Sequence, residues 1–136
     1  MKLLMVLANK ISYTPKIKNL DWVEDKTQTE TYENILVAFI QVEKKDMQEP
    51  KKAETNLVKN LKWGARKNEV RKILLHSFAH LSDSKATPEF TKELLDKVEK
   101  RLNNADYKTY QSPFGYFLDI SIDCPGKSLA RIFKSF

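Results

Sequence analysis

The sequence has few of the residues that build specialised sites. Its 136 residues include one cysteine, two histidines and three glycines. A single cysteine forms no disulfide within the chain, so nothing indicates an oxidising compartment. The glycines at positions 64, 115 and 126 form neither a phosphate-binding loop nor a dinucleotide fingerprint, and no Gly-x-Ser-x-Gly elbow occurs. The sequence therefore lacks the common motifs of nucleotide-dependent enzymes and serine hydrolases.

Long apolar runs are also absent. No stretch approaches the roughly 20 apolar residues of a membrane helix, and the opening run, Leu3–Leu7, is shorter than a signal peptide requires. The sequence therefore predicts a cytoplasmic protein with no membrane segment. The length suits a single domain over residues 1–136, which can bury a core without disulfides or a metal.

Basic residues exceed acidic ones. The formal net charge is +6 and the pI is about 9.3, which permits an anionic partner such as RNA without requiring one. Two basic groups lie on predicted helices: Lys51, Lys52, Lys59, Lys62 and Arg66 on the first, and Lys97, Lys100 and Arg101 on the second. The solvated face of an amphipathic helix explains both groups, and contact with phosphates is the alternative.

The two histidines, His76 and His80, are four residues apart, which on a helix would place both on one face for a metal. The pattern instead puts His76 at the end of a strand and His80 in the following loop. No acidic or cysteine ligand is near them, so we predict no metal site and no cofactor. Cys124 is predicted to be a packed thiol rather than a nucleophile.

Hydrophobic periodicity predicts an α/β (α+β) protein with a mixed sheet and two helices, in the approximate order βββαβαββ. The predicted strands are Lys2–Leu7, Lys10–Lys18, Asn34–Val42, Val70–His76, Tyr107–Ser112 and Gly115–Cys124. The predicted helices are Pro50–Lys67 and Pro88–Asn103. Pro15 interrupts the second strand, the loop Asn19–Thr31 is expected to carry Trp22 inward, and Lys127–Phe136 fits either a strand or a short helix.

Three elements have the clearest patterns. Asn34–Val42 is almost continuously apolar, which predicts a strand buried on both faces. The first helix presents one apolar face, made of Ala53, Leu57, Leu61 and Ala65. The second helix has Thr87 as its cap, Pro88 at its first position, and a buried stripe of Phe90, Leu94, Leu95, Val98 and Leu102.

Two segments carry a resemblance to a known family. Ser77–Ser82 (Ser-Phe-Ala-His-Leu-Ser) and Pro113–Tyr116 (Pro-Phe-Gly-Tyr) resemble the active-site segments of the archaeal threonyl-tRNA synthetase editing domain. Val37–Glu43 and the pattern Cys124-x-Gly126-x-x-Leu129-Ala130 fit the same family in the same order. The family's fold resembles that of D-aminoacyl-tRNA deacylases, so we expect a D-aminoacyl-tRNA deacylase-like fold here.

The resemblance implies hydrolysis of serine wrongly attached to threonine tRNA. It implies that His80 positions the water or shapes the pocket. It also implies that Val42 and Ala79 lie beside the amino-acid side chain. Phe114, Gly115 and Tyr116 match the loop that holds the terminal adenosine. The further substrate-binding residues that it implies are Phe78, Pro113 and Phe117. The implied partners are the aminoacylated 3′ end of tRNA, a second copy in a homodimer, and a separate or fused synthetase catalytic domain.

The sequence departs from the family at three places. Leu118 stands where the family has a lysine, Arg131 where it has a glutamate, and Leu7-Ala8-Asn9 where it has His-Ser-Asp. Three interpretations therefore stay open. The chain is an active hydrolase that relies on backbone groups, His80 and the ribose 2′-OH; or a degenerate relative that binds tRNA or a protein partner; or a deacylase with another substrate, such as D-aminoacyl-tRNA.

Overall fold

A computed structural model describes all residues, 1–136. It contains six strands and two α-helices: β1 Lys2–Lys18, β2 Glu30–Gln41, α1 Pro50–Lys67, β3 Lys72–Ser77, α2 Pro88–Asn104, β4 Lys108–Gln111, β5 Tyr116–Asp123 and β6 Arg131–Ser135. A 3₁₀ helix, Lys44–Met47, precedes α1. The mixed sheet with two helices confirms the predicted fold class, although the order is ββαβαβββ rather than βββαβαββ.

The six strands form one mixed sheet in the order β4-β3-β2-β1-β5, and β6 also pairs with β1. The β2–β3 and β3–β4 pairs are parallel, and every pair that includes β1 is antiparallel. The chain crosses from β2 to β3 through α1 and from β3 to β4 through α2. Because both right-handed crossovers step in the same direction, both helices pack on the same face of the sheet.

Strand β2 is buried on both faces, as its apolar run predicts. Leu36, Ala38 and Ile40 belong to a cluster of 19 buried residues between the sheet and the helices. Ile35 and Val37 point the other way, into a smaller cluster of six buried residues on the opposite face. The sheet curls, and this curvature covers the opposite face. The same curvature shapes the candidate functional site.

The predicted helices are confirmed with small changes at their ends. Ala53, Leu57, Leu61 and Ala65 are buried along α1. At the start of α2 the Thr87 hydroxyl accepts a hydrogen bond from the backbone N–H of Phe90 at 3.2 Å. The buried residues of α2 include the predicted Leu94, Leu95, Val98 and Leu102. Phe90 is half-buried and packs against the edge of the cluster.

The first two predicted strands form one continuous strand, so the predicted break near Asn9 is wrong. Pairing with β2 continues in register on both sides of Asn9, from Ala8 opposite Ile35 to Lys10 opposite Glu33. The apolar alternation fails there because two consecutive residues of β1, Asn9 and Lys10, are exposed. At the same point the residue pairing omits Asn9 and Asn34, and Asn34 adopts a left-handed φ of 51°.

Three smaller expectations have different outcomes. A register shift between Pro15 and Ile17 marks the predicted interruption of the strand. Lys127–Phe136 ends in strand β6, which pairs with the start of β1. The expectation that Trp22 points inward is wrong, because its side chain is 47% exposed. Trp22 instead packs against Phe114, with ring centroids 6.0 Å apart.

No helix is both long and apolar enough to span a bilayer.

Candidate functional site

A cavity of about 460 Å³ opens at the carboxyl ends of β2 and β3, where it also meets the start of α2 and of β5. The structure brings all nine residues singled out by the sequence to this cavity: Val42, Phe78, Ala79, His80, Pro113, Phe114, Gly115, Tyr116 and Phe117. They come from two loops and two strands that are distant along the chain. Their convergence makes this cavity the candidate site.

Curvature of the sheet closes the cavity. Ile40 is paired with Leu3 near the start of β1, and Leu118 is paired with Pro15 near its end. In a straight strand these two positions of β1 would be about 40 Å apart. Both Ile40 and Leu118 nevertheless line the same cavity, so the long strand bends far enough to bring β5 round to the ends of β2 and β3.

The loop after β3 is anchored by the side chain of Gln41, which is 2% exposed. Its Oε1 accepts hydrogen bonds from the backbone N–H groups of Leu81 and Ser82 at 2.6 and 2.7 Å. Its Nε2 donates to the carbonyl oxygens of Ser82 and Ser84 at 2.6 and 2.9 Å. One amide thus uses its full capacity of two acceptor and two donor bonds on the loop that carries His80.

Glu43 supports the same loop from below. The Ser82 hydroxyl donates to Oε2 of Glu43 at 2.7 Å, and the α-ammonium of Met1 donates to Oε1 at 2.6 Å. Burial alone would raise the pKa of Glu43, but these two hydrogen bonds and the nearby positive charges outweigh it and lower the pKa to about 2. Glu43 is therefore a carboxylate at neutral pH, and it fixes Ser82.

The two histidines differ sharply in environment. His80 is exposed, and its ring meets the ring of Phe78 edge-on at 4.8 Å. His76 is buried, and its Nδ1 lies 2.7 Å from the Ser112 hydroxyl. Burial, together with the neighbouring His80, lowers the pKa of His76 to about 4, so its imidazole is neutral near pH 7. His76 also lines the cavity, which sequence reasoning missed; its place directly before Ser77 was the available signal.

The second loop depends on Gly115. Its φ is +81°, a left-handed conformation that glycine adopts readily, and a Cβ there would approach Leu20 and Val23 to 3.1 Å. Its carbonyl accepts a hydrogen bond from the N–H of Asn19 at 2.8 Å. The backbone at Gly115 therefore packs closely against the loop between β1 and β2.

Tyr116 is held by its hydroxyl. The phenol donates to the carbonyl of Glu24 at 2.6 Å and accepts from the N–H of Lys26 at 2.9 Å. These bonds fix its ring between the cavity and the loop that precedes β2. Tyr116 therefore offers a ring face to a ligand, while its polar end is already used within the chain.

The departures from the family pattern fall in different places. Leu118, which the resemblance matches to a lysine of the family, lines the cavity with an apolar side chain. Arg131 lies on β6 opposite Val6 and does not line the cavity. No Asp or Glu lines it either, and Lys85 is its only lysine. The cavity therefore offers no carboxylate for general acid or base chemistry.

A larger cavity of about 880 Å³ lies on the other side of Phe114 and shares only Pro113, Phe114 and Tyr116 with the predicted residues. Four tyrosines line it, of which Tyr32 and Tyr110 have ring centroids 4.7 Å apart. Its remaining lining includes five carboxylates: Glu24, Asp25, Glu30, Asp96 and Glu99. This density of negative charge disfavours a phosphate-bearing ligand, so the smaller cavity is the better candidate site.

The basic groups on the helices differ in their partners. Lys51 and Arg101 both contact Glu54, at 3.3 and 2.8 Å, and Lys97 contacts Glu93 at 3.0 Å. In contrast, no carboxylate lies within 4.0 Å of four cations that surround one surface depression: Lys59, Lys62, Arg66 and Lys134. Lys134 lies over the ring of Trp63, 4.7 Å from its centroid. These four cations therefore form a cluster whose positive charge no carboxylate pairs.

The sequence singled out two further features, a possible metal site at the histidines and the thiol of Cys124. No group of three or more His, Cys, Asp or Glu residues is close enough to hold a metal ion. Cys124 is partly buried, and its thiol lies 3.9 Å from the carbonyl oxygen of Ala130.

Comparison with known proteins gives one consistent result. The model of the archaea-specific editing domain of threonyl-tRNA synthetase matches residues 1–136. Threonine–tRNA ligase of Thermococcus kodakarensis is 30% identical over 138 residues, and that of Thermofilum pendens is 31% identical over 137 residues. Each match covers 99% of this chain and 22% of the ligase. The chain thus spans about a fifth of the length of these relatives.

A solved structure with a similar fold is the c-Myc DNA Unwinding Element Binding Protein. It superposes with a TM-score of 0.70 and covers 100% of this chain, while 99% of that protein is matched. The sequences are 11% identical, so this likeness concerns the fold alone.

Proposed function

The chain belongs to the family of archaea-specific editing domains of threonyl-tRNA synthetase, and from this premise we propose that it hydrolyses L-serine from mischarged threonine tRNA. The observation that carries the proposal is the cavity, which residues 77–80 of the first family segment line together with Pro113–Tyr116 of the second. Residues 1–136 would act as one editing domain in the cytoplasm, beside a synthetase catalytic portion in the same or a separate chain.

Selection between serine and threonine explains why such a site is needed. The two amino acids differ by one methyl group, and a hydrophobic pocket discriminates one methylene by only about 1–3 kcal/mol. A second site removes the resulting errors if it admits serine and excludes threonine. Val42, which is 3% exposed, and Ala79 on the loop are our candidates for the wall that crowds the extra methyl.

The chemistry requires little from side chains. A water molecule attacks the ester carbonyl, the bond between that carbon and the 3′-oxygen breaks, and the 3′-oxygen leaves with a proton. The adjacent ribose 2′-OH positions or activates the water, and backbone N–H groups stabilise the oxyanion. The lining supports this scheme because it contains no carboxylate, and burial lowers the pKa of His76 to about 4, which makes its imidazole a weak base. His80, which is exposed beside Phe78, would orient the water in this scheme.

The proposed RNA ligand has complementary surfaces. The rings of Phe114 and Tyr116 can stack on the terminal adenine, with Gly115 allowing close approach to the backbone. Phe78, Pro113 and Phe117 complete the apolar wall. The unpaired cations around Trp63 would contact phosphates in the body of the tRNA.

We also propose that two copies pair through β5. This strand is at one end of the sheet order, so its outer edge has no partner strand. Its Ile120 and Ile122 side chains are 39% and 38% exposed. An unpaired edge with exposed apolar residues is a template for another strand, and a second copy would supply one by antiparallel pairing. Sedimentation of the purified protein tests this directly, since a monomer at micromolar concentration would refute it.

A deacylation assay tests the proposed activity. Purified protein is expected to release serine from seryl-tRNA(Thr) and to spare threonyl-tRNA(Thr). Release no faster than in buffer would refute the hydrolase. Esters of L- and D-amino acids, assayed side by side, distinguish serine editing from D-amino acid removal, which the apolar Leu118 in the wall makes the second candidate.

Substrate assistance has its own test. A tRNA ending in 2′-deoxyadenosine should not be deacylated, because the hydroxyl that positions the water is missing. Undiminished turnover of that substrate would show that the protein, and not the 2′-OH, positions the water. Tight tRNA binding with a steep salt dependence, but without turnover, would instead indicate a degenerate binding relative.

A further inference from the structure

One cation stands alone in the lining of the candidate cavity. Of its 21 lining residues, Lys85 is the only Lys, Arg, Asp or Glu. Lys85 is exposed, and no carboxylate lies within 4.0 Å of its Nζ. The cavity thus has one uncompensated positive charge and no negative one.

The backbone on both sides of Lys85 is fixed, although its side chain is free. The carbonyl of Ser84 accepts from Nε2 of Gln41 at 2.9 Å, and the Ser84 hydroxyl accepts from the N–H of Lys44 at 3.0 Å. On the other side, the N–H of Ala86 donates to the carbonyl of Val42 at 2.9 Å. The flexible stem of Lys85 therefore starts from a defined point at the rim of the cavity.

The surroundings of Lys85 also favour an anion. The first turn of the 17-residue helix α2 reaches the cavity through Pro88 and Thr91. The positive end of a helix dipole adds to the potential of a nearby ammonium group. Two carboxylates are close in sequence, Asp83 and Glu89, but neither lines the cavity.

We propose that Lys85 forms a phosphate subsite at the mouth of the cavity, and that its ligand is the phosphodiester joining the terminal adenosine to the preceding nucleotide. This inference rests on the proposed function. With the aminoacyl-adenosine in the cavity, the RNA chain must leave through the mouth, and its first charged group is this phosphodiester. A lysine on a flexible stem binds a phosphate as a mobile point charge.

Two substrates that differ by this one group test the subsite. The seryl ester of adenosine has no phosphate, and the seryl ester of the dinucleotide CpA has one phosphodiester. Lys85→Gln should raise KM for the dinucleotide ester about tenfold, leave kcat within about twofold, and change neither constant for the adenosine ester. Lys85→Arg should restore most of the lost KM, because it keeps the positive charge.

Lys44→Gln is the matched control, since Lys44 is exposed, has no carboxylate within 4.0 Å and lies outside the cavity lining. It should leave both substrates unaffected. An equal change on both substrates after Lys85→Gln, or no change on the dinucleotide ester, would overturn the subsite.

A binding experiment separates this inference from the proposed function. Uncharged CpA and uncharged adenosine are titrated into the wild type and the Lys85→Gln variant by calorimetry, without any hydrolysis. If the wild type hydrolyses no ester but still binds CpA through Lys85, the activity fails and the subsite stands. If it hydrolyses both esters and Lys85→Gln binds CpA as the wild type does, the subsite fails alone.

Discussion

The side-chain amide of Gln41 and the backbone of Ser82 are hydrogen-bonded in both directions. Oε1 of Gln41 accepts from the Ser82 N–H at 2.7 Å, and Nε2 donates to the Ser82 carbonyl at 2.6 Å. Gln41→Leu would leave these loop groups without partners, and each unsatisfied buried group costs about 1–3 kcal/mol. We expect a loss of about 2–4 kcal/mol in unfolding free energy, measured by urea titration, and a lower kcat for seryl-tRNA deacylation.

Gln48→Leu is the control for this change. Gln48 is exposed, and its side chain makes no hydrogen bond within the chain. Its stability should stay within about 0.5 kcal/mol of the wild type. If Gln41→Leu matched this control in both stability and kcat, the hydrogen bonds of Gln41 to the loop would contribute neither to stability nor to activity.

The lowered pKa of Glu43 should make the stability of the protein depend on pH in the acidic range. Because its pKa in the folded state is about 2, below the ordinary value near 4.3, the unfolded state binds the proton more readily. The stabilisation is complete above about pH 5 and is lost as the pH falls towards 2. Glu43→Gln should lower the unfolding free energy at pH 7 by an amount on the order of 3 kcal/mol. It should also flatten this part of the pH profile; a variant with an unchanged profile would contradict the prediction.

The lowered pKa of His76 should cause a second pH-dependent change in stability, at higher pH than that of Glu43. Its pKa of about 4 in the folded state lies below the ordinary value near 6.5. The unfolded state therefore takes up the proton first, and stability declines as the pH falls from about 6.5 to 4. NMR titration of the ring nitrogens should show a neutral His76 imidazole down to about pH 4. A midpoint near 6.5 would mean that burial does not control this ring.

The glycines offer a matched pair of substitutions. Gly115→Ala should destabilise the protein by about 1–2 kcal/mol, because alanine at a left-handed φ is strained and its Cβ would meet Leu20 and Val23 at 3.1 Å. Gly126→Ala should be nearly neutral, since no heavy atom lies within 4 Å of the added Cβ. Thermal unfolding of both variants checks this, and equal melting temperatures would refute the role of Gly115.

Unpaired cations should dominate binding to the body of the tRNA. Replacing Lys59, Lys62 and Arg66 together by Gln should weaken binding of uncharged tRNA and lower the slope of log K against log salt by about 2–3. Filter binding at several salt concentrations measures both quantities. Hydrolysis of the seryl ester of adenosine should not change, since that substrate does not reach this surface.

A second triple variant removes the same charge from cations that have partners. Lys51, Lys92 and Lys97 each contact a carboxylate, and their joint replacement by Gln should leave the salt slope within about 1 of the wild type. Equal effects from the two triples would show that net charge, rather than this surface, attracts the RNA.

Much of the fold was readable because its signals are local. The apolar run of β2, the face of α1 and the cap at Thr87 each depend on residues a few positions apart, and each was predicted correctly. The same local pattern divided β1 in two, because the exposed Asn9 and Lys10 interrupt the alternation, although pairing with β2 keeps its register on both sides. Alternation reports which face a side chain takes, whereas strand continuity depends on the partner strand.

The site was only partly readable. Resemblance singled out nine residues, and they line one cavity, although their roles in binding and hydrolysis stay predictions. It missed His76, Gln41 and Lys85, because nothing in the local pattern shows that a strand-end histidine, a buried amide and a loop lysine converge. The prediction for Trp22 failed for a similar reason. An aromatic residue in a polar loop suggests burial in the core, and the sequence does not show that Phe114 is its packing partner.

The sequence by itself determined the class of fold, the two helices and the family, because periodicity and short motifs are properties of neighbouring residues. Only the tertiary structure decided that β1 bends to bring Leu118 beside Ile40. It also decided that Gln41 holds the His80 loop, and that some cations are paired while others are free. These outcomes depend on distances between residues far apart in the chain, and such distances exist only once the sheet has curled.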